Sequence, residues 1–233
     1  MDEVILVDKP AGWTSFDVVA KIRGQLRAKL KAEGSPQKAK VGHSGTLDPF
    51  ATGLLIILVG KATKRQDEFM KQDKVYEATF RLGATSTTGD PEGVIEERRA
   101  MNDERSRPRE QQVKEALEKF TGEIEQMPPI YSAIKINGKK AYELARAGKP
   151  VELKPRKVHI YSLELTDYKW PELKITAHVS SGTYIRSLAV DIGDQLGTGA
   201  YCTQLRRTKI GQNDVNNAQT IDKISLNMLL KKI

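Results

Sequence analysis

Two periods of apolar and polar positions run along this chain, and the switches between them mark its elements. Residues 4–7 are a short apolar run closed by Asp8-Lys9-Pro10-Ala11-Gly12, which predicts a buried strand and then a break. Thr14 or Ser15 supplies a cap for the next helix. Along that helix Phe16, Val19, Ile22, Leu26 and Leu30 recur at helical spacing and predict its inner face. Lys21, Arg27, Lys29 and Lys31 fill much of the rest, and a solvated surface is the plain reading of such charges. Residues 33–40 read as a polar loop. Residues 54–59 are continuously apolar and too short to span a membrane; residues 60–65 end that strand and enter a helix. Over residues 74–82, Tyr76, Ala78, Phe80 and Leu82 share parity, a strand pattern. Residues 98–109 are highly charged and read as exposed. Residues 110–120 return to helical spacing, with Val113, Ala116, Leu117 and Phe120 inward. Residues 158–165 and 173–179 form a predicted hairpin. Thr183 offers a cap for a helix carrying Ile185, Leu188, Ala189 and Ile192. Residues 201–209 read as a strand, and the tail, 214–233, as ending in a small helix.

The chain has 233 residues, 39% hydrophobic and 29% charged, which suits one large domain or one domain with an insertion. A net charge of +8 makes an anionic partner plausible and says nothing about fold. Cys202 is the sole cysteine, so no internal disulfide forms, and no Cys/His cluster has zinc spacing. The start, MDEVILVDKPAG, lacks the basic and long apolar regions of a signal peptide. A soluble cytoplasmic protein needing no metal is expected.

Three stretches carry the candidate chemistry. In residues 41–60, VGHSGTLDPFATGLLIILVG, a loop dense in turn formers places His43 and Asp48 against a buried apolar element. Functional groups commonly sit on such loops, although Asp-Pro also starts ordinary turns. In residues 123–157, Lys135, Lys139, Lys140, Arg146, Lys149, Lys154, Arg156 and Lys157 interleave with Tyr131 and Tyr142. That mixture suits phosphate contact plus stacking, and an exposed hairpin followed by a short helix over 139–147 is the bland alternative. In residues 180–197, Arg186 falls in the first turn of a helix, where a cation opposes the helix dipole. A nearby carboxylate would account for it.

GHSGTLDPFATGLL resembles the catalytic motif of TruB-type tRNA pseudouridine-55 synthases. KPAGWTS, KVYEATFRLG, GATSTTGDPEG, the QMPPIYSAIK region and SSGTYIRSLAVDIGDQLG are similar to further segments of that family, in the family's order. The resemblance implies an α+β pseudouridine synthase fold: a mixed, largely antiparallel sheet flanked by helices, with an RNA-binding insertion at about 123–157. It implies one catalytic domain over 1–233, without the C-terminal PUA domain that many bacterial members carry. It implies that a uridine in the T-loop of tRNA becomes pseudouridine, with no metal or organic cofactor and no obligate protein partner. Site residues carry over by motif. Asp48 would act at the sugar, either adding to C1′ or removing a C2′ proton. Arg186 would pair with it, Tyr76 would lie against the base, and Leu205 would pack on the ring. His43 would fill the space of the flipped nucleotide. Lys139, Lys140 and Arg146 would meet phosphates, and Lys9 and Pro10 would support the catalytic loop. An RNA-folding factor that needs no catalysis, and a synthase acting on another RNA with guide-RNA partners, are the alternatives.

Overall fold

The computed structural model describes residues 2–34, 40–98, 103–136 and 138–224. In chain order the elements are β1 (Glu3–Lys9), α1 (Ser15–Ala32), β2 (Val41–Ser44), β3 (Thr52–Val59), a 3-10 turn (Gly60–Arg65), α2 (Gln66–Met70) and β4 (Lys74–Leu82). A small hairpin of β5 (Ala84–Ser86) and β6 (Ile95–Glu97) follows, then α3 (Glu110–Glu118) and β7 (Gly122–Gln126). Next come a second hairpin, β8 (Lys135–Ile136) and β9 (Lys139–Lys140), α4 (Ala141–Arg146), and the long pair β10 (Arg156–Lys169) and β11 (Glu172–Val179). The chain continues through α5 (Ile185–Gln195), β12 (Ala200–Ile210), β13 (Asn213–Asp214) and β14 (Gln219–Thr220).

These elements form two compact units, Met1–Lys74 with Arg206–Ile233, and Val75–Leu205. In the first, β3 has β1 antiparallel on it over Glu3↔Val59 to Lys9↔Gly53. It also takes β2 antiparallel at Val41↔Val59 and the end of β12 parallel at Arg206↔Thr52 and Arg207↔Gly53. Its apolar run is continuous because both faces are covered. Leu55, Ile57 and Val59 pack with Val18, Val19, Ile22 and Leu26 of α1. Leu54, Ile56 and Leu58 pack with Ala62, Phe69, Ile210 and Val215. In the second unit β10 pairs antiparallel with β11 and with β7. The shared parity of Tyr76, Ala78, Phe80 and Leu82 is buried as expected, and Val113, Ala116 and Leu117 are the buried face of α3. The architecture is α+β. Among the described residues no helix is long and apolar enough to cross a membrane.

One alternative is resolved and three expectations change. Thr14, not Ser15, is the α1 cap, in a reciprocal capping box with Asp17. Phe16 is not on the inner face: it is 61% exposed, while Val18 is fully buried. The spacing from Phe16 to Val19 is helical, but the inner stripe starts at Ser15 and Val18 instead. Thr183 does not cap α5. The N-cap is Tyr184, without a side-chain cap bond of its own. Its backbone is served by Gln126, which accepts from Tyr184 N–H at 2.8 Å and donates to Tyr184 O at 3.0 Å. Lastly, the helix expected over 139–147 begins at Ala141, because Lys139 and Lys140 pair with Ile136 and Lys135 as a hairpin. The tail helix expected near 233, and parts of the loops at 33–40 and 98–109, lie outside the described residues.

Candidate active site

In the first unit the loop after β2 is held from below through its own carbonyls. Lys9, fully buried, donates from Nζ to Pro10 O at 2.9 Å, Trp13 O at 2.7 Å and Pro49 O at 3.2 Å. Gly12 N–H reaches the same Pro49 O at 2.9 Å. Ser15 Oγ donates to Leu47 O at 3.1 Å and accepts from Leu47 N–H at 2.8 Å. Arg207, 1% exposed, donates from Nε to Leu54 O at 2.8 Å and from Nη2 to Gly45 O at 3.1 Å. These bonds satisfy polar groups that would be costly to bury unpaired. Two glycines lie against Arg207, Gly45 set by its positive φ and Gly53 by its close approach to the Arg207 backbone. A Cβ on Gly45, at φ +87°, would stand 3.6 Å from Arg207 Nη1. One on Gly53, at φ +101°, would stand 2.3 Å from Arg207 O, which no side chain tolerates. The anchored segment contains Asp48, which is half-buried, with its carbonyl accepting from Ala51 N–H at 3.2 Å in a turn. His43 on β2, also half-buried, pairs with Ile57 on β3.

In the second unit Arg186, 3% exposed, is the hub. Its Nη1 lies 3.2 Å from Asp90 Oδ2 and donates to Thr88 O at 2.9 Å. Its Nη2 donates to Tyr131 O at 2.8 Å. Asp90, itself buried, accepts at Oδ1 from Thr88 Oγ1 at 2.5 Å and from Glu92 N–H at 3.0 Å. The next residue on α5, Ser187, donates to Met127 O at 2.7 Å. The first turn of α5 therefore pins both the 86–93 loop and the 127–131 entrance to the insertion. Tyr76 on β4 and Leu205 on β12 are buried in this unit. Lys140 donates to Tyr142 Oη at 3.3 Å, and Lys140 Nζ and Arg146 Cζ lie 5.3 Å and 5.7 Å from the Tyr142 ring centre. This is the cation–aromatic interleaving the sequence suggested. Lys139 is exposed on the hairpin. His159 and His178 flank Tyr161, with ring centres 4.8 Å and 4.7 Å apart, on an open part of the sheet.

The candidate residues thus fall into two sets: Lys9, Pro10, His43 and Asp48 in the first unit; Tyr76, Lys139, Lys140, Arg146, Arg186 and Leu205 in the second. Sequence reasoning missed Asp90 and Arg207. Asp90 sits in GATSTTGDPEG, read only as a loop, and the carboxylate expected beside Arg186 was assigned to Asp48 instead. Arg207 left no signal, because in LRRTK it looks like one more surface cation on a strand. Among the described residues no group of His, Cys, Asp and Glu is arranged to hold a metal ion.

This arrangement defines a class when set beside known proteins. The model of the TruB family pseudouridylate synthase N-terminal domain matches residues 29–185, and that of the tRNA pseudouridylate synthase B C-terminal domain matches residues 186–232. A tRNA pseudouridine synthase B of Phocaeicola vulgatus is 48% identical over 220 residues, 94% of this chain and 90% of the relative. One of Parabacteroides distasonis is 49% identical over 210 residues, 90% of this chain and 86% of the relative. Among solved structures, a chain of a Cbf5–Nop10–Gar1 complex superposes with a TM-score of 0.68 at 28% identity, over 95% of this chain. The match spans about half of that longer chain, 53%. The chain belongs to the TruB family of pseudouridylate synthases, isomerases that convert uridine to pseudouridine in tRNA.

Proposed function

We propose that this chain isomerises the uridine at position 55 in the T-loop of tRNA, acting in the cytoplasm without a protein partner. The observation that carries the reading is the loop around Asp48. Three buried side chains, Lys9, Ser15 and Arg207, fix its carbonyls at Gly45, Leu47, Pro49 and Leu54. A carboxylate that must meet one sugar atom needs a loop that does not drift, since small misplacement costs much of the rate. The N1–C1′ bond breaks, the uracil turns, C5 bonds to C1′, and the proton lost from C5 is balanced by one gained at N1. Asp48 supplies the carboxylate, by adding to C1′ or by removing the C2′ proton. Arg186 supplies the positive charge that favours its ionised form. Tyr76 lies against the base and relays the C5 proton, and Leu205 packs on the ring and keeps out water that would hydrolyse a captured sugar. The stacked uridine must flip out first, and His43 takes the space it leaves. Lys139, Lys140 and Arg146 meet phosphates from the insertion.

The test is to incubate the protein with unmodified tRNA and map pseudouridine by position. Wild type should modify one T-loop uridine. Asp48→Asn keeps the shape but removes the nucleophile or base, so it should bind RNA and make no product. Product at another position sinks the substrate assignment, and near-normal turnover of Asp48→Asn sinks the assigned role.

A further inference from the structure

We propose that the outward face of α1 is a second RNA contact, a seat for the sugar–phosphate backbone of the substrate tRNA outside the loop that holds the target uridine. This rests on the substrate proposed above and adds a surface to it. The face is defined by helical geometry. Phe16, Ala20, Arg23, Arg27 and Lys31 recur every three or four residues and so share one side of the helix. Val18, Val19, Ile22 and Leu26 face the core on the other. Ala20, Gly24 and Ala28 are exposed and small, and a Cβ on Gly24 would meet nothing within 4 Å. The cations therefore stand above a low floor that a backbone can approach.

Charge selects the occupant. The only acid within α1 is Asp17, and it is engaged in the capping box. Among the described residues neither Arg27 nor Lys31 has an ion-pair partner, while Lys29 pairs with Glu33 at 3.8 Å. An unneutralised row of cations one turn apart fits a polyanion with regularly spaced charges. Phe16 adds an exposed ring, 5.5 Å from the Arg23 guanidinium, that serves no core. Position selects RNA in particular. The row starts beside Ser15, which is bonded to Leu47 next to Asp48. From Phe16 to Lys31 it runs away from the loop around Asp48 for about 22 Å at ~1.5 Å per residue. Arg23 also donates to Val41 O at 3.1 Å, tying the row to the strand that carries His43. An RNA whose uridine reaches Asp48 thus has a basic track leading from that point.

The experiment compares wild type with the double variants Arg27→Gln/Lys31→Gln and Arg27→Glu/Lys31→Glu. Both side chains are exposed, and unchanged melting curves verify folding. Binding to full-length unmodified tRNA and to a short hairpin limited to the T-loop and its closing base pairs is measured across a salt series. With full-length tRNA, the neutral variant should lower the slope of log K against log salt by about 0.7–0.9 for each lost contact. The charge-reversed variant should weaken binding by roughly tenfold or more at low salt. The short hairpin should lose less than about threefold, and the single-turnover rate at saturating RNA should stay at the wild-type value. An unaltered salt slope with full-length tRNA overturns the inference, and so does an equal loss on both RNAs. A loss of binding to vesicles containing anionic lipid, with tRNA binding intact, assigns the face to membrane and also overturns it. If wild type makes no pseudouridine while the slope still responds to the variants, the proposed reaction fails and this surface stands.

Discussion

Arg186 and Arg207 are both almost free of solvent, and they are satisfied in opposite ways. Arg186 meets a buried carboxylate, Asp90, and adds two carbonyls, Thr88 O and Tyr131 O. Arg207 meets carbonyls only, Leu54 O and Gly45 O, and among the described residues no carboxylate pairs with it. A buried ion pair holds its members in one geometry but leaves a strong uncompensated charge if either is lost. A guanidinium on carbonyls shapes backbone instead: its rigid fork fixes two peptide groups in space. The first device fixes a cation in one geometry, and the second uses a cation to keep a loop in place.

Asp90→Ala breaks this comparison most severely. It removes one carboxylate from the buried Arg186, a loss of up to about 3–5 kcal/mol. The melting temperature should fall by roughly 6–20 °C for a chain of this size. Calorimetry checks it, and an unmoved Tm would mean that Arg186 is satisfied without Asp90.

Arg207→Lys should have an intermediate effect. The charge is kept but not the fork, so Leu54 O or Gly45 O goes unpaired at about 1–3 kcal/mol. Because the loss falls on the shape of the Asp48 loop, the single-turnover rate should drop about tenfold while RNA affinity stays within twofold, a gap of about 1.4 kcal/mol in the barrier. Stopped-flow or quench measurements at saturating RNA separate the two. A normal rate would show that Lys9 and Ser15 shape the loop without it.

The smallest effect comes from an acid that has neither kind of partner. Burial, and then the neighbouring Asp194, push the Asp191 carboxyl on α5 up from 3.8 to about 6. The folded state then holds a proton that the unfolded chain releases. The native form is favoured by this group below about pH 4, and that benefit is lost as pH rises through 6. Asp191→Asn should therefore stabilise the protein at pH 7–8 by about 1 kcal/mol, reduced from the full shift because the group is partly solvated. The gain should shrink to nothing below pH 4 in a Tm series. A gain independent of pH would assign it to packing.

Much of the fold was legible because burial and spacing agree: β3 is continuously apolar and covered on both faces, and β4 alternates and is buried on one parity. The family was legible because the long motif around Asp48 leaves few positions free. Three failures share one cause, which is that the sequence shows a side chain but not what it reaches. Arg207 sits between Arg206, which pairs with Asp8 at 2.8 Å, and Thr208, so nothing local marks it as buried. Gln126 holds the backbone of the α5 N-cap residue from 58 residues away, a contact that nothing near Thr183 in the sequence reveals. Phe16 obeyed the helical period yet points outward, since hydrophobicity is a weak guide at the first turn of an amphipathic helix.

The contact of Arg207 with Leu54 closes across 153 residues. During synthesis the Lys9 bond to Pro49, spanning only 40 residues, becomes available early. The final anchor does not exist until the far end of the chain has emerged. At about 5–20 residues per second, that delay is roughly 8–30 s after Leu54 is made. A nascent chain therefore carries the whole loop around Asp48 well before its Arg207 bonds can form.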